Sequence, residues 1–202
     1  MKIPNISFGK KIPLAKCQIQ NKTTGEYTPA TFYEVDCKDE EDYKEIKRLS
    51  VNWKYKYHIE DNMETKHLSP KSNLFFYQIR GNNDKLLAMS QVEESNGIYD
   101  VNYISREPNC KYRYVGQTML ACIGREVNRK KGDRLVITRT TSDARPFYTD
   151  ICGFEELGTF MLKMNNSQIA QFINQTEEKT KSPIETIMPY KDDLSGGQFE
   201  NT

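Results

Sequence analysis

Histidine is scarce in this chain: His58 and His67 are the only two among 202 residues. Because no pair of cysteines has C-x-x-C spacing, the usual ligand pattern of a structural zinc site is missing. We therefore expect no metal centre. Both histidines lie far upstream of Cys110 and Cys152, which argues against a covalent thiol mechanism. We interpret the five cysteines as reduced, mostly packed thiols, at positions 17, 37, 110, 122 and 152.

Long apolar runs and an excess of one charge are also missing. No stretch reaches the length that a transmembrane helix requires, so no membrane partner is expected. The first residues, MKIPNISFGKKIPLAKC, contain no continuous apolar segment and no small-residue cleavage site, which predicts a cytoplasmic protein. Lysine and arginine (29) nearly balance aspartate and glutamate (28). The broad basic surface of a nucleic-acid-binding protein is therefore not expected, and nucleic acid is an unlikely partner.

Local patterns predict a chain that alternates between strands and helices. LAKCQIQ and ATFYEVD flank the turn formers NKTTGEYTP, which predicts a hairpin over 14–20 and 30–36. A helix is expected next, capped by Asp36 or Asp39, with an apolar stripe of Tyr43, Ile46 and Leu49. The other predicted strands are 74–80, 85–92, 98–104, 135–141 and 154–164. The other predicted helices are 117–131, a short one within 142–153, and 166–180.

The stretch EPNCKYRYVGQTMLACIGREV, residues 107–127, has the features of an anion site. Pro108 interrupts the preceding strand, and Gly116 permits a tight turn with close approach by a ligand. The helix that follows offers unpaired N-terminal amides and the positive end of its dipole. Lys111 and Arg113 add charge-assisted contacts, so the loop is suited to a pyrophosphate. The alternative is a surface loop whose cations are merely solvated.

From about residue 30 to 164 the order of elements resembles that of the GNAT superfamily of N-acetyltransferases. The acetyl-CoA motif of that family runs roughly Pro-x-x-Arg-x-x-Gly-x-Gly/Ala-x-x-Leu-Leu. Its counterparts here are Pro108, Lys111, Tyr114, Gly116, Met119 and Leu120. In this register, which we prefer, lysine replaces the usual arginine or glutamine and a tyrosine replaces the first glycine. A second register runs Arg113-x-x-Gly116-x-Thr118.

A second block supports the resemblance. ARPFYTDICGFEE, residues 144–156, looks like the family's A-x-x-F-Y-x-x-x-G-F segment, with one extra residue between Tyr148 and Gly153. In the family that tyrosine often lies near the CoA sulfur and acts as a general acid. A phenol suits the role, since its ordinary pKa of about 10 keeps it protonated at neutral pH. The alternative is that Tyr148 is only a packed aromatic residue.

The resemblance implies an α/β (α+β) fold: a mixed, mostly antiparallel sheet flanked by helices. Acetyl-CoA would lie in a V-shaped opening between the fourth and fifth core strands, and its acetyl group would pass directly to an amine of a small molecule or a protein. The candidate bases are Asp100, Glu93 and Glu94. The implied donor-binding residues are Tyr103, Ile104, Ser105, Lys111, Arg113, Tyr114, Val115, Gly116, Gln117, Thr118 and Ser142.

Three segments are expected: an N-terminal hairpin arm (1–28), an acyltransferase domain (29–180) and a loose tail (181–202). A lone hairpin is marginal in water, so the arm is expected to dock beside 30–36 rather than pair with a second copy in a homodimer. The groove would then be built by 98–148 alone. The alternative function is a non-catalytic GNAT-shaped interaction module. Tyr114 favours it, since this side chain lies in the loop before the helix, residues 107–116, which we call the anion loop.

Overall fold

The computed structural model describes residues 11–35, 40–49, 51–53, 58–59, 61–62 and 73–187. A 3₁₀ turn spans Asn82–Asp84, and a single π-helical turn spans Phe147–Ile151. The helices are α1 (Glu40–Leu49), α2 (Val115–Arg129) and α3 (Asn166–Thr180). The strands are β1 (Lys11–Asn21), β2 (Tyr27–Val35), β3 (Leu74–Arg80), β4 (Leu86–Ser95), β5 (Ile98–Arg106), β6 (Tyr112–Arg113), β7 (Arg134–Ile137), β8 (Glu155–Glu156), β9 (Leu162–Asn165) and β10 (Glu185–Thr186).

The described strands form one ten-stranded sheet. Its order is β10-β1-β2-β3-β4-β5-β7-β9-β8, with β6 paired to β1 off this path. Strands β5 and β7 run parallel, whereas every other pair among the described strands is antiparallel. The expected fold class, a mixed and mostly antiparallel sheet flanked by helices, is therefore confirmed.

Two apolar layers cover the two faces of the sheet. Successive residues of β3 enter different layers, as the alternation of side chains along a strand requires: Phe76 joins the smaller layer, and Tyr77 and Ile79 join the larger one. Helices α2 and α3 cover the larger layer. They approach closely at Gly124, where a Cβ atom would lie 2.8 Å from Ile169 Cγ2. Replacing that glycine would force the two helices apart.

The N-terminal hairpin is part of the main sheet. Strand β1 pairs with β2 from Lys11 opposite Val35 to Gln20 opposite Tyr27. The side chains of Leu14, Ala15, Cys17 and Ile19 are buried in the larger apolar layer. The expected docking of the hairpin beside residues 30–36 is therefore confirmed. The expectation that the groove does not depend on the hairpin is not confirmed, because β1 also pairs with β6, which lies in the anion loop.

Two segments differ from the sequence-based prediction. Residues 154–164 form two short strands rather than one, because Leu157 N donates to Met161 O at 2.9 Å and turns the chain back. Residues 182–187 are docked rather than loose: Ile184 is buried, and β10 pairs with β1. The apolar Ile184, set in a polar segment, accounts for this docking.

The caps of α1, its apolar stripe and the end of the tail lie outside the described part of the chain; these are Asp36, Asp39, the side chains of Tyr43, Ile46 and Leu49, and residues 188–202. Among the described residues, no helix is both long and apolar enough to cross a membrane.

Candidate functional site

The site begins where two parallel strands separate. Strands β5 and β7 pair over only three positions, ending at Asp100 opposite Val136, although β5 continues to Arg106. Next to this point Asn102 is an extra residue in β5, since Gln91 and Val92 of β4 face Tyr103 and Val101. A bulge of this kind bends and twists its strand. Beyond Asp100 the two strands no longer pair, and a gap lies between β5 and the chain that leaves β7.

The carboxylate of Asp100 fixes the vertex of the gap. Asp100 Oδ1 accepts a hydrogen bond from Thr138 N (3.2 Å), and Oδ2 accepts one from Thr138 Oγ1 (2.7 Å). Both bonds hold the chain that leaves β7 against β5. Burial is the main reason that the pKa of Asp100 is raised, the bonds from Thr138 oppose the rise, and the charge of Glu93 adds to it. The predicted base is thus also a structural clamp.

This raised pKa predicts how Asp100→Asn changes stability with pH. A carboxyl group whose pKa is raised on folding stabilises the protein fully below its unfolded pKa, and the contribution is lost as pH rises through the folded value. Asparagine does not titrate. The free energy of unfolding of the wild type should therefore fall relative to that of Asp100→Asn as pH rises from below the ordinary value of 3.8 towards neutrality.

Urea unfolding at a series of pH values measures this difference. Parallel curves for wild type and Asp100→Asn would show that the carboxyl group is not perturbed by folding.

The anion loop ends in a helix whose first amides have no helical partner. Thr118 N donates to Tyr114 O at 2.8 Å, which makes Tyr114 the residue that precedes α2 and leaves the N–H groups of Val115, Gly116 and Gln117 outside the helical ladder. The side chain of Tyr114 does not cap them, and the first turn of α2 contains no acidic residue. Three amides at the positive end of a 15-residue helix are suited to bind an anion.

Tyr114 occupies the backbone position that favours glycine. Its φ is 63°, in the left-handed region, where a residue with a Cβ atom is less stable by about 1–2 kcal/mol. This is the place of the family's first glycine in the register built on Pro108 and Lys111, so the geometry favours that register. The backbone therefore turns at residue 114 although a tyrosine occupies it, and Tyr114 lines a cavity at the start of α2.

Gly116 is needed for space rather than for an unusual backbone angle. A Cβ atom there would lie 3.3 Å from Phe147 Cζ. Phe147 is the first residue of the π-helical turn, so the start of α2 and that turn meet at this glycine. The group that approaches Gly116 within the protein is therefore an aromatic ring, whereas the sequence-based prediction concerned the approach of a ligand.

The π-helical turn accommodates the extra residue that separates Tyr148 from Gly153. Cys152 N donates to Phe147 O at 3.1 Å, a five-residue step that holds one residue more than an α-helical turn. Tyr148 packs edge-on between Phe147 and Phe154, with ring centroids 5.1 and 5.9 Å away. It is only 6% exposed, and it lines two neighbouring cavities.

Three neighbouring cavities connect these features. The first, of about 420 Å³, lies at the start of α2, and the second, of about 600 Å³, lies in the gap between β5 and residues 137–148. They share Ile104, Arg106 and Tyr148. The third, of about 500 Å³, contains Glu93 and Asp100 and shares Asn102, Tyr103 and Arg139 with the second. The three cavities therefore adjoin one another in a row, called the groove below, that runs from the anion loop to the two carboxylates.

Most predicted site residues meet along this groove. The first cavity is lined by Ile104, Ser105, Tyr114, Gly116, Gln117 and Tyr148, and the second by Tyr103, Ile104 and Tyr148. The side chains of Val115 and Thr118 are buried, and the Thr118 amide already donates to Tyr114 O, so of these two residues only Val115 keeps an amide outside the helical ladder. Lys111 and Arg113 are close in sequence to Tyr114 and Gly116, which line the first cavity, but they do not line it themselves.

Ser142 and Glu94 are also not brought to the groove. Ser142 is exposed and lines none of the three cavities, whereas its neighbours Thr141 and Asp143 line the second. Glu94 accepts a hydrogen bond from Gly97 N at 2.9 Å and so stabilises the β4–β5 turn.

Several lining residues were missed: Ala88, Asn102, Arg106, Arg139, Thr141 and Phe147. Phe147 stands in the same aromatic pair as Tyr148 and could have been noticed. Arg106 is the last residue of β5 and Arg139 lies two residues after the end of β7, but a cation at such a place is too common to be a signal.

The described cysteines are not poised as nucleophiles. Cys17, Cys110, Cys122 and Cys152 are all buried and reduced. Burial raises the pKa of Cys152 to about 12 and that of Cys122 well above its ordinary value. A thiol must lose its proton to attack. Among the described residues no group of three or more histidine, cysteine or acidic side chains is arranged to hold a metal ion.

No family model and no curated protein matches the sequence. Solved structures do match. A protein described as an acetyltransferase of the GNAT family, from Desulfovibrio desulfuricans, is 13% identical with a TM-score of 0.55, covering 68% of this chain and 99% of its own. The ribosomal-protein-S18-alanine N-acetyltransferase from Escherichia coli is 13% identical with a TM-score of 0.52, covering 67% and 93%.

A third similar structure is the AtaT toxin bound to the C-terminus of the antitoxin AtaR and acetyl-CoA. It is 13% identical with a TM-score of 0.55 and covers 72% of this chain and 99% of its own. Likenesses at this level of identity establish the fold. The chain has the fold of the GNAT superfamily of N-acetyltransferases, as the two motifs predicted.

Proposed function

We propose that this protein is an N-acetyltransferase that transfers the acetyl group of acetyl-CoA directly to an amine. The observation that carries the proposal is the order of the adjoining cavities that form the groove. It starts at three amides outside the helical ladder, follows β5 where β7 has separated from it, and ends at two carboxylates. The similarity to the AtaT structure, which contains acetyl-CoA, supports the choice of donor.

The donor would extend along the groove in one direction. Its diphosphate would accept hydrogen bonds from the amides of residues 115–117, with Lys111 and Arg113 close by in the loop. Its pantetheine arm would pair with the edge of β5 near Tyr103–Ser105, in the way that an added strand pairs with a sheet. The thioester would then lie near Tyr148, which lines both donor cavities.

The chemistry requires one base and one acid. The acceptor, an ammonium ion at neutral pH, would first lose a proton to Glu93 or Asp100 in the third cavity. Glu93 is the more exposed of the two, whereas both oxygens of Asp100 accept bonds from Thr138. The amine nitrogen would attack the thioester carbonyl, the C–S bond would break, and Tyr148 would protonate the leaving thiolate. The second proton that the nitrogen loses on becoming an amide would return to the tyrosinate and restore the phenol.

Thermal denaturation with and without acetyl-CoA tests the proposal. Ligand at a hundred times its Kd should stabilise the folded protein by roughly 2.7 kcal/mol. Adenosine, which lacks the diphosphate and the pantetheine arm, is the matched control and should give little shift. An unchanged melting temperature with acetyl-CoA at millimolar concentration would sink the proposal.

The second candidate is a non-catalytic module of the same shape, and Tyr114 favours it. Its side chain lines the first cavity, where the family has no side chain. Such a module would show no shift with acetyl-CoA, or a shift without release of CoA when a panel of amines is added. Release of CoA that depends on the amine, followed with a thiol reagent, would exclude it.

Lys111→Ala and Arg113→Ala should each weaken acetyl-CoA binding mildly. Both side chains are exposed, so their attraction to a diphosphate is screened by salt. We expect losses of about two- to fivefold at low ionic strength, in line with exposed ion pairs of up to about 1 kcal/mol. The losses should shrink towards none at 1 M salt. Calorimetric titration at two salt concentrations measures them, and losses that do not depend on salt would contradict the charge contact.

A further inference from the structure

The anion loop is bound to the N-terminal hairpin along four consecutive residues. Strand β6 pairs antiparallel with the end of β1, with Arg113 opposite Gln20 and Tyr112 opposite Asn21. Lys22 N donates to Lys111 O at 2.8 Å, and Lys22 Nζ donates to Cys110 O, also at 2.8 Å. Residues 20–22 of the hairpin therefore bind residues 110–113 of the loop.

This pairing determines where the two loop cations point. Side chains alternate between the faces of an extended segment, so Lys111 and Arg113 share one face and Tyr112 takes the other. Tyr112 is half-buried and packs against the larger apolar layer, whereas the two cations are exposed. Without the pairing to β1, a loop of this kind would sample other faces and the two charges would not be held together.

The hairpin tip itself is well braced. Asn21 N donates to Glu26 O (2.8 Å), and Gly25 N donates to Asn21 O (3.0 Å). The side chain of Asn21 accepts from Thr23 N (2.9 Å) and Thr24 N (3.3 Å). Lys22 is thus presented from a turn of fixed shape, and its amine is directed at a loop carbonyl rather than at a ligand.

We infer that the β1–β2 hairpin is part of the donor site, with Lys22 as a positioning residue that holds Lys111 and Arg113 in register for the diphosphate of acetyl-CoA. The inference rests on the proposed function. Lys22 acts through the carbonyls of residues 110 and 111 and touches no reacting atom. Its role is to order the loop before the donor arrives, and preorganisation of this kind strengthens binding.

Lys22→Met tests the inference, because it removes the amine and keeps the backbone donor and the aliphatic stem. Lys16→Met is the matched control: Lys16 is exposed on β1, the strand that leads to Lys22, but its neighbours across the sheet are Thr31 and Glu185. Lys22→Arg should restore the wild-type behaviour, since it keeps a charged donor.

Two readouts are expected to change together. Amide hydrogen exchange of residues 110–114 should become faster in Lys22→Met and not in Lys16→Met. Calorimetry should show CoA binding weakened about two- to tenfold, as for loss of one hydrogen bond. The difference from wild type should shrink at high salt, and kcat at saturating acetyl-CoA should stay the same.

The outcomes separate this inference from the function on which it rests. If the wild type binds CoA and Lys22→Met leaves both exchange and affinity unchanged, the inference is overturned and the proposed function stands. If the wild type does not bind CoA, both are overturned. Weaker binding that arginine restores supports the inference.

Discussion

Replacing Tyr148 by phenylalanine is expected to lower turnover by roughly ten- to a thousandfold, near the range usual for acid–base groups. The affinity for acetyl-CoA should stay within about twofold, because only a hydroxyl group is lost. The ring contacts to Phe147 and Phe154 are retained in the variant, so the π-helical turn should keep its shape. Steady-state kinetics with an amine acceptor gives kcat, and calorimetry gives the donor affinity.

The pH profile distinguishes an acid from a packed ring. If the phenol donates the proton, the alkaline limb of the wild-type profile should be lost in Tyr148→Phe. Tyr33→Phe, on the half-buried side of β2, is the matched control and should not affect the profile. Equal turnover in wild type and Tyr148→Phe would mean that the tyrosine is structural.

Gly116→Val is expected to weaken acetyl-CoA binding about tenfold to a hundredfold. A Cβ atom at residue 116 already lies 3.3 Å from Phe147 Cζ, and valine adds two methyl groups. Overpacking of this kind typically costs about 1–3 kcal/mol, which corresponds to about five- to 150-fold in affinity. Because the start of α2 and the π-helical turn meet here, one of them must move. The amides of residues 115–117 would then be displaced from the positions that bind the diphosphate. Calorimetry with CoA measures the loss.

Companion variants locate the cause of that loss. Gly116→Ala needs an adjustment of only a few tenths of an ångström and should bind donor nearly as wild type does. In Gly116→Val combined with Phe147→Leu the crowding is relieved, so recovered binding would assign the loss to displacement of the ring. Binding that stays weak would assign it to direct obstruction of the diphosphate. Unchanged affinity in the single valine variant would refute the location of the donor site.

Local patterns were sufficient to predict most elements of the fold. The turn formers GNND separate the predicted strands 74–80 and 85–92, which correspond to β3 and β4. The predicted helix 166–180 corresponds to α3, which starts with a capping box between Asn165 and Gln168. Such signals lie within a few residues of one another. The same is true of the anion loop, whose proline, cations and glycine are contiguous in the sequence.

The features that shape the site are not local. The gap depends on where β7 stops pairing with β5, and the clamp joins Asp100 to Thr138, 38 residues later. The contact between Lys22 and Cys110 spans 88 residues. Periodicity carries no information about such separations. Gly116 shows the limit: the sequence predicts close approach by a ligand there, but it does not show that Phe147 of the chain itself packs against this glycine.

The short outer strands affect how molecules of this protein meet one another. At one margin of the described sheet lies β8, only Glu155–Glu156, and at the other lies β10, only Glu185–Thr186. A long unpaired strand margin is a template for aggregation, whereas short and charged margins discourage it. β1, which is long enough to be such a template, is covered by β10 at residues 15–16 and by β6 at residues 20–21. The pairing that orders the anion loop thus also protects the protein from self-association through strand addition.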